Sequence, residues 1–597
     1  MKRNGCLRKG CLVSLVVPLV LALVCFFSFR SSRNLPDRFV LAVPVSGALE
    51  ERAGDDSPWP FFAADNNVSF QELLFLFDHA SRDKRIRTVL LDIGDVQASP
   101  AKIVELRQAI EKLRAGGRKV IAWLHSAEDA DYHLAAACDS VVVERGGYLL
   151  LDGLKAETLL YTGALEKIGV SFQAAQWKQY KSGVEPFIRK DGSPEYREQV
   201  GQLLDEVYGE YTGYVSKRRG ISRDSLESVI NRIALVQAGQ AVRLGLADGV
   251  ASMWELKRSL ARRIAGKALE DAGDLFVSAG EYRNAVDWPV KSSTREAIAV
   301  VTLSGPMVRS AGGSEAVMED QADVAMVRSS LEAALKEDNV RAIVLRIDSP
   351  GGDALATADM LQMLDSAAAR KPLVVSMSGV AASGGYMAAL AGRTVYAQPL
   401  TITGSIGVYA LKPDISGLAA KTGLGREVVT RGRFADANTP FRPLDDEAYR
   451  KFVDASGAVY LDFIGKVARS RKMTLAAVDS VAGGRVWTGR QAREQGLVDR
   501  EGGLFDAVRA AAKLGGIRQS EQPRILLYPE QKTWLQLLLS GNLSEITGSM
   551  QRMLRASVLR ELVPPSTYGA VSRMHEAILQ SDKLRILAAM PGDILIR

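Results

Sequence analysis

Residues Ile86 to Ile93, IRTVLLDI, return as Val340 to Ile347, VRAIVLRI, 254 residues later. The same interval pairs DADYHLAAACDSVVV, from Asp129, with SGGYMAALAGRTVYA, from Ser383, and Pro186-Phe187 with Pro440-Phe441. Near the ends the interval drifts: FVLAVPVSG aligns with IAVVTLSGP through Ser46 and Ser304, and GLADGV echoes GLVDRE. A repeat on this scale fixes the architecture before any motif is read. The body is two copies of one domain, 39–263 and 295–515. A polar linker, 264–294, joins them, and a tail, 516–597, follows.

Each copy alternates between two periodicities. IVLRI and PLVVSM are short, β-branched and apolar throughout, as strands buried on both faces must be. VAMVRSSLEAALKED and ATADMLQMLDSAAAR carry the 3.6-residue spacing of amphipathic helices. Strand–helix alternation predicts an α/β domain with a mainly parallel sheet. The tail contains KTWLQLLL and MQRMLRASVLREL, and is read as helical packing against the body or a neighbour.

Comparing the copies singles out two positions. Ser383, in GVAASGGYMAAL, falls opposite Asp129, so only the second copy has a serine there. Lys181, in KSGVEPF, falls opposite Ala435 in ADANTPF, so only the first copy has the lysine. A serine hydroxyl needs a base to become a nucleophile. The second copy has no histidine, which excludes a Ser-His-Asp triad built within it. A lysine serves if burial keeps its amine neutral. If both positions border one site, the duplicated chain has divided a Ser/Lys pair between its halves, with Lys412 as the alternative base.

The surroundings of Ser383 suit acyl transfer. PLVVSM predicts a strand and GGYMAALAG a helix start, so Ser383 sits where free amides favour developing negative charge. DSPGG, Asp348 to Gly352 after the strand IVLRI, is the candidate second donor, because glycine lets backbone approach a substrate carbonyl. Ser405, in TITGSIGVY, is placed to hold the lysine amine.

The N-terminus stands apart. Lys2, Arg3, Arg8 and Lys9 precede an uncharged run, Cys11 to Phe29, long enough to cross a bilayer as one helix. No small-residue cleavage site follows, so an uncleaved anchor is expected, with the body outside the cytoplasm. Cys6, Cys11 and Cys25 belong to that region, leaving Cys138 alone in the body. One cysteine and four histidines without ligand spacing predict neither a disulfide framework nor a metal site. The net charge of +7 is scattered, and no basic block points to nucleic acid.

YKSGVEPF in the first copy, followed by VLRIDSPGG, VAASGGYMAAL and TITGSIGV in the second, resemble the signal peptide peptidase A family (protease IV) in its long, duplicated form. The resemblance runs from the anchor to about residue 515 and more loosely through the tail. It implies two Clp-protease/crotonase-like spiral domains and a serine peptidase without cofactor, acting on cleaved signal peptides. By the same resemblance Ser383 is the nucleophile, Lys181 the general base and Ser405 the lysine-orienting hydroxyl, with Gly351, Gly352 and Gly384 in the oxyanion region. It further implies a homo-oligomer, a tetramer, anchored in a bacterial inner membrane. Two other classes share the fold: a crotonase-type acyl-thioester enzyme, and an inactive membrane scaffold that would not need both Ser383 and Lys181.

Overall fold

A computed structural model describes residues 35–52, 68–290, 292–309, 321–530, 586–589 and 595–596. The apolar run Cys11 to Phe29 lies outside them, as does most of the tail. Among the described residues no helix is long and apolar enough to cross a membrane.

The repeat is visible in the sheets. In the first copy, the strands Phe39–Ala48, Ile86–Gln97, Lys119–Ala127 and Ser140–Leu150 lie side by side and parallel. In the second, Ala297–Ser304, Val340–Ser349, Leu373–Ala382 and Ile402–Gly404 do the same. Equivalent helices begin at equivalent caps. Ser99 accepts from Lys102 N at the start of Pro100–Ala115, and Asp353 accepts from Ala356 N at the start of Ala354–Ala368. A serine or aspartate there satisfies an amide that the first turn leaves without an acceptor.

Two segments outside the copies contribute strands that the sequence reading lacked. The 264–294 stretch is more than a linker: Phe276–Ser278 lies parallel to Phe39–Ala48 and closes that side of the first sheet. The tail, read as helical, opens on a strand. Arg524–Tyr528 pairs with Ala297–Ser304 in the matching place of the second sheet. An otherwise unpaired edge of backbone donors and acceptors is covered each time. The apolar helix-like stretches at 532–562 fall outside the described residues.

The strand period of two explains why the second sheet is apolar throughout. Ala297, Ala299, Val301, Ile343 and Leu345 face a core of the second copy's own helices. Ile298, Val300, Ala342 and Val344 face the other way, into the core shared with the first copy. Both faces are therefore dry, and burial of this much aliphatic surface, at roughly 25 cal/mol per Å², welds the two copies together. Arg346 breaks the pattern. It is fully buried on the shared side, bound to Glu51 at 2.6 Å and Glu105 at 2.8 Å from the first copy. It also donates to Ser376 Oγ and Ser378 Oγ.

A third sheet crosses between the copies. Ser171–Gln176 of the first runs antiparallel to Tyr409–Asp414 of the second, from Ser171 opposite Asp414 to Gln176 opposite Tyr409. On the far side of Tyr409–Asp414, the tail strand Ile586–Ala589 is inserted antiparallel to it and to Gly351–Asp353. The second tail strand, Leu595–Ile596, pairs with Ala156–Glu157.

Candidate active site

Parallel pairing sets two serines side by side. Ala381 lies opposite Thr403 and Ala382 opposite Gly404, so the next residues, Ser383 and Ser405, leave their strands together. Ser383 N donates to Gly404 O at 2.8 Å, and Ser405 N to Arg485 O at 2.7 Å. Both serines have positive φ, 54° and 49°. L-residues hold such backbone only where the surroundings impose it, and it turns each hydroxyl out of its strand. Ser383 then caps the short helix Gly384–Ala389. Alanines and glycines surround it because backbone and neighbouring atoms close in: a Cβ on Gly385 would stand 2.6 Å from Ser349 O, and one on Gly384 2.7 Å from Thr357 Oγ1.

The crossing strand delivers the lysine. After Gln176 the chain stays against the second copy, with Trp177 N bonded to Val408 O and Tyr180 N to Gly483 O. Lys181 follows, wholly buried. Its Nζ lies 2.8 Å from Ser383 Oγ, 2.9 Å from Ser405 Oγ and 2.9 Å from Ser405 O. Burial holds this amine well below the ordinary lysine value, and no carboxylate opposes that shift. An amine so lowered gives up its proton more readily than an exposed lysine, and it stands within hydrogen-bond reach of both serine hydroxyls. The contact is made within one chain.

The other sequence candidates divide. Lys412 is bonded to the backbone oxygens of Arg442 and Pro413, away from Ser383. Gly351, with φ 97°, donates its N–H to Ser349 Oγ at 3.2 Å, so that amide is already engaged. Gly352 packs flat against Met307, where a Cβ would stand 2.2 Å from Met307 O. Gly384 opens its helix, where amides lack an internal acceptor. Asp129, the first copy's counterpart of Ser383, is buried against Gly153 N, and burial raises its carboxyl to about 6.

Sequence reading missed Gly483 and Gly484. A Cβ on Gly484 would collide with the Lys181 backbone, and no local pattern announces that contact. It also missed the brace behind Lys181, where Gln199 Nε2 donates to Ser182 Oγ at 2.9 Å. Among the described residues no cluster of side chains could hold a metal ion.

Known proteins resemble this chain along the same division. Residues 112–265 and 365–518 each match the model of peptidase family S49. The chain is 30% identical to "Serine protease SPPA, chloroplastic" of Arabidopsis thaliana over 522 residues, 86% of this chain and 75% of that protein. It is 30% identical to "Protease 4" of Salmonella typhi over 514 residues, 85% of this chain and 80% of that protein. A third relative, "Putative signal peptide peptidase SppA" of Enterococcus faecium, is 26% identical over 280 residues, 45% of this chain and 80% of that protein.

Proposed function

This chain belongs to peptidase family S49, and on that premise we propose that it is a membrane-anchored endopeptidase that degrades released signal peptides through Ser383 and Lys181. That it is a serine protease of the long, duplicated signal peptide peptidase A type follows from the two family matches and the relatives that span most of it. The finer reading rests on one observation above all, the 2.8 Å approach of a desolvated Lys181 Nζ to Ser383 Oγ.

The steps follow from that geometry. Ser383 Oγ attacks the peptide carbonyl carbon as its proton passes to neutral Lys181 Nζ. The carbonyl oxygen becomes an oxyanion, received by the amides of Gly352 and Gly384. The Lys181 ammonium returns the proton to the leaving amine, and the C–N bond breaks to give an acyl-serine. Water, deprotonated by the same amine, then releases the acid and restores the hydroxyl. Ser405 Oγ and O keep Nζ aimed at Ser383 throughout.

An extended peptide enters by strand addition, in the slot between Gly351–Asp353 and Tyr409–Asp414. The relative whose name includes signal peptides supports that substrate class. The apolar run Cys11 to Phe29 supports an anchor in a bacterial inner membrane, with the body on its outer side; the homo-tetramer rests on the family resemblance alone.

A fluorophosphonate probe tests the chemistry. It should label Ser383 in the unaltered protein, whereas Ser383→Ala and Lys181→Ala should neither label nor hydrolyse a peptide substrate. Labelling that survives Ser383→Ala would remove the assignment. Fractionation with N-terminal sequencing tests the anchor: membrane-bound protein beginning near residue 1 supports it, and a new terminus near residue 30 does not.

A further inference from the structure

The two copies share a second complementary pair. Lys102 is the third residue of the helix Pro100–Ala115; its counterpart in the second copy, 254 residues on, is Ala356. Asp348 opens the DSPGG turn; its counterpart in the first copy is Gly94. Each side chain exists in one copy only, and the structure joins them. Lys102 Nζ lies 2.7 Å from Asp348 Oδ2 across the junction between the copies. Lys102 also donates to Leu49 O at 2.9 Å and faces Glu51 at 3.7 Å.

The place of this pair in the second sheet gives it a task. Val340–Ser349 and Leu373–Ala382 run in register until Ile347 opposite Met377; the next pairing is Ser349 opposite Ala381. The second strand carries extra residues in that interval, a bulge that removes ladder partners just before the nucleophile. Asp348 closes the gap. Its Oδ1 accepts from Val380 N at 3.0 Å, three residues ahead of Ser383, and its own backbone oxygen accepts from Gly305 N. One carboxylate therefore ties the strand that ends in Ser383 to the turn that carries Gly351 and Gly352.

We infer that Lys102 is a positioning residue for the oxyanion site, acting through Asp348 to hold the Gly351–Gly352 turn in register with Ser383. The inference rests on the Ser383/Lys181 reading of the site. Lys102 and Lys181 are then buried lysines of opposite character. Lys181 meets no carboxylate, and burial lowers it. For Lys102, burial is outweighed by Asp348 and Glu51, which hold its ammonium above the usual value. Without that charge, Asp348 would be a largely buried anion with one backbone partner and no cation, and would leave its place to reach water.

The test compares Lys102→Met, Asp348→Asn and the double variant in the full chain. Asparagine can still accept from Val380 N but needs no cation. In Lys102→Met, kcat should fall by about 100-fold with KM within about twofold, the size expected when a catalytic group is displaced by an ångström. Inhibition by a peptide aldehyde, whose adduct needs the oxyanion donors, should weaken in parallel, while binding of an uncleavable peptide should not. The double variant should recover at least tenfold of the lost kcat. That rescue also serves if Lys102→Met alone folds poorly, since the double variant buries no unpaired charge. A folded Lys102→Met with normal kcat, or a double variant no better than Lys102→Met, would overturn the inference. Fluorophosphonate labelling of unaltered Ser383 reports separately on the dyad itself; if that fails, the dyad reading and this inference fall together.

Discussion

Gly484 presses its backbone against Lys181: a Cβ there would stand 2.4 Å from Lys181 N and 2.5 Å from Lys181 Cα. Its φ of 85° independently favours glycine. Gly484→Ala should therefore move Lys181 off Ser383 without touching substrate. We expect kcat to fall by about 100-fold with KM little changed and with the protein still folded. Steady-state kinetics beside a melting curve checks this, and wild-type kcat would show that the lysine is seated by other contacts.

The pH dependence follows from the buried amine. Lys181 must be neutral to act, so kcat/KM should rise as pH passes upward through its lowered value, well short of the ordinary lysine range. Lys181→Arg should be as inactive as Lys181→Ala, because a guanidinium keeps its proton. Stability carries the same signature. Between the lowered folded value and the unfolded one, the unfolded chain binds the extra proton, so stability rises with pH across that window. Relative to Lys181→Met, the unaltered protein should gain melting temperature from pH 7 to 10. A difference that is flat with pH would mean that the folded lysine is charged.

Asp129 provides the opposite sign. Burial raises its carboxyl to about 6 from 3.8, so the folded state holds the proton more tightly and loses stability as pH rises from about 4 to 6. Asp129→Asn keeps an acceptor for Gly153 N and removes that cost, which should stabilise the protein at pH 7 by about 1–3 kcal/mol. The gain should vanish below pH 4, and peptidase activity should not change. Denaturant titrations at the two pH values measure it, and equal gains at both would exclude titration as the cause.

The tail strand makes peptide entry a displacement. Ile586–Ala589 already pairs with both walls of the proposed slot, Ala588 opposite Gly352 and Leu587 opposite Asp353 and Tyr409. A tethered strand competes at an effective concentration on the order of millimolar. Ending the chain at residue 585 should lower KM for a peptide several-fold and leave kcat near its original value. An unchanged or higher KM in the shortened protein would mean that the strand does not contest the slot.

Much of this was legible because duplication printed the chain twice. IVLRI and PLVVSM announced buried parallel strands, and the serine and lysine stood out as departures from an otherwise matching copy. What escaped was short or distant. Phe276–Ser278 has three residues, too few to show a period, and Arg524–Tyr528 becomes a strand only because Ala297–Ser304 offers it an edge. DSPGG was read for its glycines, but the use of Asp348 depends on Lys102, 246 positions away. Gly484 matters through a steric contact with Lys181 that no spacing rule encodes.

The 202 positions from Lys181 to Ser383 also separate them in time. Synthesis at about 5–20 residues per second brings out the base tens of seconds before the nucleophile. Through that interval the nascent chain holds an amine with nothing to deprotonate. A product that stops short of residue 383 is inert, and a fragment lacking the first copy would hold a serine with no lysine beside it. On the Ser383/Lys181 reading, hydrolytic power arrives only when both copies have folded against each other, so the duplication doubles as a proofreading step on manufacture: no molecule that lacks either copy can cut its neighbours.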